Sequence, residues 1–146
     1  MFAPGIVLHP TDLSELSKGA CRTAQDIATQ YKAPLLLLHV VETLGPENIT
    51  FGEAASALEP EGYRKRLLKE LQAWAHLMGL PTATRLLIAE GEPAASVEQV
   101  ARAEKADLIV IGTHGRTGVK RLFMGSIAER IVRLAPCSVL TVKGAP

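Results

Sequence analysis

Short apolar runs alternate along this chain with longer stretches in which apolar residues recur every three or four positions. The short runs are typical of β-strands, and the longer spacing is that of helices packed on one face. The predicted strands lie at residues 6–8, 35–41, 84–89 and 108–111, with a fifth that begins at Ser138 and ends at Lys143. The run at 35–41 is apolar on both faces, which is typical of a central parallel strand.

Four amphipathic stretches between these runs predict helices. The first starts in the polar segment around Thr11 and ends near Lys32, and the third begins at Pro93, a residue suited to a first helical turn. In the second, Trp74 falls on the apolar stripe and is expected to pack in the core. The other apolar positions expected to face the core are Leu16, Ala20, Ala24, Ile27, Ala28 and Tyr31 in the first helix and Ile127, Ile131 and Leu134 in the fourth.

The alternation of strands and helices predicts an α/β fold. We expect one domain over residues 1–146, built on a doubly wound, flavodoxin/Rossmann-like sheet of five parallel strands with helices on both faces. With strand order 3-2-1-4-5, the ligand crevice of such a sheet lies at the carboxyl ends of strands one and four. The connection at 42–62 has no clear period, and the sequence assigns it no role.

A glycine-bearing loop follows the fourth strand, with glycines at positions 112, 115, 118 and 125. Glycine lets the backbone approach a ligand closely, and the helix that starts near Ser126 offers free N–H groups to an anion. Phosphate binding is therefore one interpretation. The other is that the glycines form ordinary turns and that Ser126 only caps the helix, since a glycine pattern alone is weak evidence.

Asp12 follows the first strand and has two interpretations as well. Its carboxylate can accept hydrogen bonds from a ribose or from an amine-bearing base. It can equally cap the following helix, with Glu15 three residues later completing a capping box. The residues alone leave both roles open.

Composition narrows the classes of partner. A formal net charge of +1 and 4% aromatic residues do not favour nucleic acid, and no run has the length to span a membrane. Cys21 and Cys137 are expected to be buried, reduced thiols. The amino-terminal segment lacks the features of a signal peptide, which predicts a cytoplasmic protein. His9, His39 and His114 lack metal-ligand spacing, so we expect no dedicated metal site.

The spacing Gly112-x2-Gly115-x9-Gly125-Ser126 resembles the nucleotide signature of the universal stress protein family, in its ATP-binding branch. The resemblance extends to the opening residues 6–14, the strand at 37–40, the turn at 91–93 and the ending at 136–140. It implies that adenine and ribose lie against Pro10, Thr11, Asp12 and Val40. It implies that ribose and phosphates lie against Ile111, Gly112, Gly115, Gly125, Ser126 and Ile127.

The same resemblance implies an ATP-dependent regulatory module of the stress response, with Mg²⁺ or Mn²⁺ bound through the phosphates and a homodimer formed through the last strand. A dedicated enzyme is not expected, because no clear general base is present; His114 lies in the loop. Slow ATP hydrolysis or autophosphorylation stays open, as does a nucleotide-free dimeric interaction protein. A receiver-type phosphoacceptor requires an aspartate after strand three, where Ala89 and Glu90 stand instead.

Overall fold

The computed structural model describes residues 1–42, 60–113 and 125–144. The strands are β1 (Val7–Pro10), β2 (Leu35–Val41), β3 (Arg85–Glu90), β4 (Leu108–Gly112) and β5 (Ser138–Val142). A short 3-10 helix (Glu15–Ser17) precedes α1 (Lys18–Tyr31), and the remaining helices are α2 (Pro60–Leu77), α3 (Pro93–Ala103) and α4 (Ser126–Leu134).

The five strands form one parallel sheet in the order β3-β2-β1-β4-β5. β1 is central and pairs with β2 on one side, where Val7 lies opposite Leu35, and with β4 on the other, where Val7 lies opposite Leu108. The predicted fold class and strand order are confirmed. All five carboxyl ends consequently face the same edge of the sheet, and the strand order reverses between β1 and β4.

The helices cover both faces of the sheet. On one face α3 and α4 pack over Leu8, Leu38 and Ile109 in a single apolar cluster. On the other face α1 packs over Val7 and Val110, while α2 contributes Leu71 and Trp74 to a cluster around Leu37. Trp74 is 7% exposed, so its predicted place in the core is confirmed.

Some residues that the helical spacing predicted to face the core are exposed instead. Tyr31, Ile127 and Leu134 are exposed, at the ends of their helices, where the core no longer reaches them. Cys21 is fully buried, and burial raises the pKa of its thiol to about 11, whereas Cys137 is only half-buried; both are free. No helix in the described ranges combines the length and the apolar character that a membrane crossing needs.

His9 is a buried polar residue in the centre of the sheet. Its side chain is fully buried, and its Nδ1 lies 2.8 Å from the carbonyl oxygen of Val110. Since a carbonyl only accepts, Nδ1 carries the proton. Nε2 is buried without a hydrogen-bond partner among the described residues. Burial disfavours the charged ring and lowers the pKa of His9 from 6.5 to about 4.

This lowered pKa predicts a loss of stability in acid. The unfolded chain takes up a proton on His9 below pH 6.5, whereas the folded chain resists protonation down to about pH 4. The stabilisation from neutral His9 is therefore complete above pH 6.5 and is lost as the pH falls toward 4, by on the order of 3 kcal/mol in total.

The measurement is urea unfolding of the parent chain and of His9→Asn at pH 7.5 and pH 4. Asparagine can still donate to Val110 but does not titrate, so the variant should lose less stability between the two pH values. His76→Asn is the matched control, because His76 is exposed at the end of α2. Equal losses in the parent and in His9→Asn would contradict the prediction.

Candidate functional site

A tight polar turn follows β1 at the carboxyl edge of the sheet. The Thr11 N–H donates to the Leu38 carbonyl at 2.8 Å, which holds the turn against β2. The Leu13 N–H donates to Thr11 Oγ1 at 3.0 Å. Because the single Ser17 hydroxyl proton is directed to the Ser14 carbonyl, Thr11 donates its own hydroxyl proton to Ser17 across 2.9 Å. The buried Thr11 hydroxyl therefore stabilises the turn through its hydrogen bonds to Leu13 and Ser17.

Asp12 forms an Asx turn within this segment. Its Oδ1 accepts from the Ser14 N–H at 3.0 Å and from the Ser14 hydroxyl at 2.6 Å. Ser14, not Asp12, occupies the cap position of the 3-10 helix, so the capping-box interpretation of Asp12 is wrong. An aspartate side chain can hydrogen-bond the backbone two residues on, so the same residue type suits this turn as well as a helix cap. Glu15 instead pairs with Lys18 at 2.7 Å.

Two features next to Asp12 hold the turn in place. Leu13 has a positive φ of 62°, a conformation that costs energy for a residue with a side chain, and its side chain packs against the cluster of Leu37 and Trp74. His39 is half-buried on β2 and donates from Nδ1 to the Thr11 carbonyl at 3.0 Å. The ring of His39 therefore supports the turn from the neighbouring strand.

The glycine-bearing loop begins and ends at adjacent points of the fold. The Gly125 N–H donates to the Thr113 carbonyl at 2.6 Å, and the Thr113 N–H donates to the Val142 carbonyl of β5 at 3.1 Å. The start of α4 is therefore held beside the end of β4. The predicted ligand Gly115, together with His114, Arg116, Gly118 and Lys120, lies outside the described residues.

The two helices on this face begin differently. Glu92 caps α3 with its own side chain, which accepts from the Ala94 N–H at 3.2 Å and from the Ala95 N–H at 2.8 Å. The cap residue of α4 is Gly125, which has no side chain to fill that role, and the next residue, Ser126, is exposed. The amino end of α3 is occupied by the Glu92 carboxylate, whereas the cap residue of α4 contributes no side-chain hydrogen bond.

Glu92 also reaches the neighbouring helix. Its Oε1 lies 2.7 Å from Nη1 of Arg130, in the middle of α4. The Ala95 and Ala94 N–H groups and the Arg130 guanidinium lower the pKa of Glu92 below its ordinary value. Neither residue is among the predicted site residues. The Glu92-Pro93 pair did signal a helix start, but the partner 38 positions later became visible only in the fold.

A cavity of about 370 Å³ opens beside Glu92 at the same sheet edge. It is lined by Glu42, Gly91, Glu92, Pro93 and Ile127. The Gly91 N–H donates to the Val41 carbonyl, which joins the ends of β2 and β3 beside this opening. The predicted ligand Val40 does not line the cavity and packs against the core cluster of Leu38. Ile127 is 46% exposed because it faces this opening rather than the core. The lining combines the apolar Ile127 and Pro93 with the carboxylates of Glu42 and Glu92.

The predicted site residues within the described ranges all lie at one end of the sheet. Pro10 ends β1, Thr11 and Asp12 follow it, and Val40 lies near the end of β2. Ile111 and Gly112 end β4, and Gly125, Ser126 and Ile127 start α4. Among the described residues, no group of three His, Cys, Asp or Glu side chains could hold a metal ion.

Comparison with known proteins identifies relatives of this chain. A family model described as the universal stress protein family matches residues 5–143. Universal stress protein MJ0531 of Methanocaldococcus jannaschii is 36% identical over 141 residues, covering 94% of this chain and 81% of that protein.

Solved structures share the fold. The structure of hypothetical protein MJ0577 superposes with a TM-score of 0.78 at 23% identity and covers 99% of both chains. A universal stress protein in complex with cAMP has a TM-score of 0.66 at 24% identity, over 99% of this chain and 100% of that one. With the family model spanning nearly the whole sequence, this chain belongs to the universal stress protein family.

Proposed function

We propose that this protein binds ATP at the carboxyl edge of its sheet and acts as a nucleotide-dependent regulatory module of the stress response. The observation that carries the proposal is the amino end of α4. It begins at a glycine without a capping side chain, it has an exposed Ser126 in its first turn, and it is held beside the end of β4. Free backbone N–H groups and the helix dipole favour a phosphate at such a position.

The rest of the nucleotide would extend from α4 toward β2. Gly112, Gly115, Gly125 and Ser126 would hold the phosphates, largely through backbone N–H groups, and Ile111 would lie against the ribose. Ile127 is exposed beside the 370 Å³ cavity and would lie against the ribose and phosphates, while Val40, near the end of β2, would lie against the adenine and ribose. Asp12, with its Oδ1 held by Ser14, would accept a hydrogen bond from the ribose or the base.

Related chemistry exists in this fold, since one universal stress protein has been solved in complex with cAMP. That ligand carries an adenine and one phosphate, whereas the glycine spacing of this chain favours a longer phosphate group. Mg²⁺ or Mn²⁺ would bind through the phosphates rather than through a protein cage. Such a module fits a cytoplasmic location. It is not proposed to be a dedicated enzyme, although a bound triphosphate with its cation is already activated for slow transfer.

The experiment that tests this function is a calorimetric titration of ATP with Mg²⁺ into protein shown by absorbance to carry no nucleotide. Saturable binding near one ATP per chain is expected. Gly115→Val should abolish this binding while circular dichroism shows an intact fold, since a β-branched side chain restricts the loop and occupies space near the phosphates. Unchanged affinity in the variant would refute the phosphate-loop assignment. No binding by the parent chain would favour a nucleotide-free interaction protein.

Asp12→Ala separates recognition of the nucleoside from recognition of the phosphates. If Asp12 contacts ribose or base, the substitution weakens ATP more than inorganic triphosphate, by roughly the tenfold or more that a hydrogen bond to a charged group contributes. Asp26→Ala removes the same charge from an exposed position of α1 and serves as the control. Equal weakening of both ligands by Asp12→Ala would show that Asp12 only organises the turn.

We further propose a homodimer through β5, the last strand at one edge of the sheet. Leu140 in this strand is 37% exposed, and an edge strand with an apolar side chain is a surface for pairing. Leu140→Asp should give a monomer in analytical ultracentrifugation. Leu77→Asp changes a 66% exposed leucine at the end of α2 and should leave the dimer intact. A Leu140→Asp variant with the parent's mass in solution would contradict the proposed interface.

A further inference from the structure

The ion pair between Glu92 and Arg130 joins the amino end of α3 to α4 at 2.7 Å. Three other pairs in the described ranges, Lys18–Glu15, Arg102–Glu98 and Arg133–Glu129, connect residues three or four positions apart. The pair of Arg85 with Glu104 links the start of β3 to the residue after α3, at the opposite end of the sheet. Among these, the Glu92–Arg130 pair is the one that joins two helices beside the candidate site.

The side chain of Glu92 is held in place before it binds Arg130. Its carboxylate already accepts from the Ala94 and Ala95 N–H groups, so its side chain is ordered before Arg130 arrives. The entropy of fixing two long side chains normally cancels much of the value of an exposed ion pair. Here only the arginine has to be ordered.

The contact of Arg130 with Glu92 also restrains the first turn of α4. Arg130 stands one helical turn after Ile127, and Ile127 and Glu92 line the same cavity. Ala94 and Ala128, one near the start of each helix, pack in the same apolar cluster below the pair. The side chains of these two alanines are short and unbranched. The ion pair adds a directional contact between the two helices.

We propose that Glu92 and Arg130 are positioning residues that hold the amino end of α4 in register with the crevice, so that its backbone N–H groups meet the phosphates of the ligand. This inference rests on the proposed nucleotide function and extends it to residues that need not touch the ligand. The pair sets the orientation of the phosphate-binding turn.

The first test is Arg130→Gln in the full chain, titrated with ATP and Mg²⁺. Affinity should fall roughly two- to fivefold, the range of an exposed ion pair. Affinity for inorganic triphosphate should fall by the same factor, because the pair acts on the phosphate end. Arg133→Gln is the matched control: it lies in the same helix and pairs with Glu129 at the same 2.7 Å, but within α4. Its affinities should equal those of the parent.

Glu92→Gln distinguishes positioning from direct contact. Glutamine keeps one side-chain oxygen, which can accept from one of the two α3 N–H groups, but loses the charge that holds Arg130. A positioning role predicts weaker binding by Glu92→Gln. It also predicts that the double variant with Arg130→Gln binds about as weakly as either single variant, and not with the sum of both losses, because the two changes remove one interaction. Tighter binding by Glu92→Gln would mean that a released Arg130 contacts the phosphates itself, which overturns the proposal.

Thermal unfolding of the free variants completes the test. A pair that only stabilised the fold would lower the melting temperature of Arg130→Gln without changing its affinity, and this result overturns the inference. Equal weakening by Arg130→Gln and Arg133→Gln also overturns it, as a general effect of charge. If the parent and Arg130→Gln bind ATP equally well, the positioning role is refuted but the proposed nucleotide function is not. If the parent binds no nucleotide, the proposed function fails and the inference fails with it.

Discussion

The structure depends on one constraint: the central strands are buried on both faces, and they run parallel. Leu8 and Leu38 face α3 and α4, while Val7 and Leu37 face α1 and α2. Such a sheet must be covered by helices on each side, and each connecting helix returns to the amino edge. The loops at the carboxyl edge are then free of the covering helices. The polar features of the candidate site lie at that edge, outside the apolar layers that cover the two faces.

The sequence predicted this framework well because its signals are local. Apolar runs of three to seven residues, separated by amphipathic stretches and turn residues, specify strands and helices without reference to distant parts of the chain. Handedness and short connections then reduce the possible topologies to few. The glycine spacing and the acidic residue after β1 were also visible, since their chemistry is contained in short segments. Their roles in binding stay predictions.

What the sequence did not predict depends on contacts between distant residues or on competition between similar local structures. Glu92 and Arg130 meet only because α3 and α4 pack side by side. Ile127 has the spacing of a core residue, and only the end of the core beneath it leaves the side chain exposed. Asp12 could begin either a helix cap or an Asx turn, and both use the same residue types. The donation from His39 to Thr11 requires two strands to be in register.

The hydrogen bond from Gly125 to Thr113 has a consequence for how this family can diversify. It joins the two ends of the loop at its base, so the sheet and α4 do not depend on the length of chain between them. Closing a longer loop costs little, about 0.6 kcal/mol for each doubling of its length. Chains that differ in the number of residues between Thr113 and Gly125 can therefore keep the same closure.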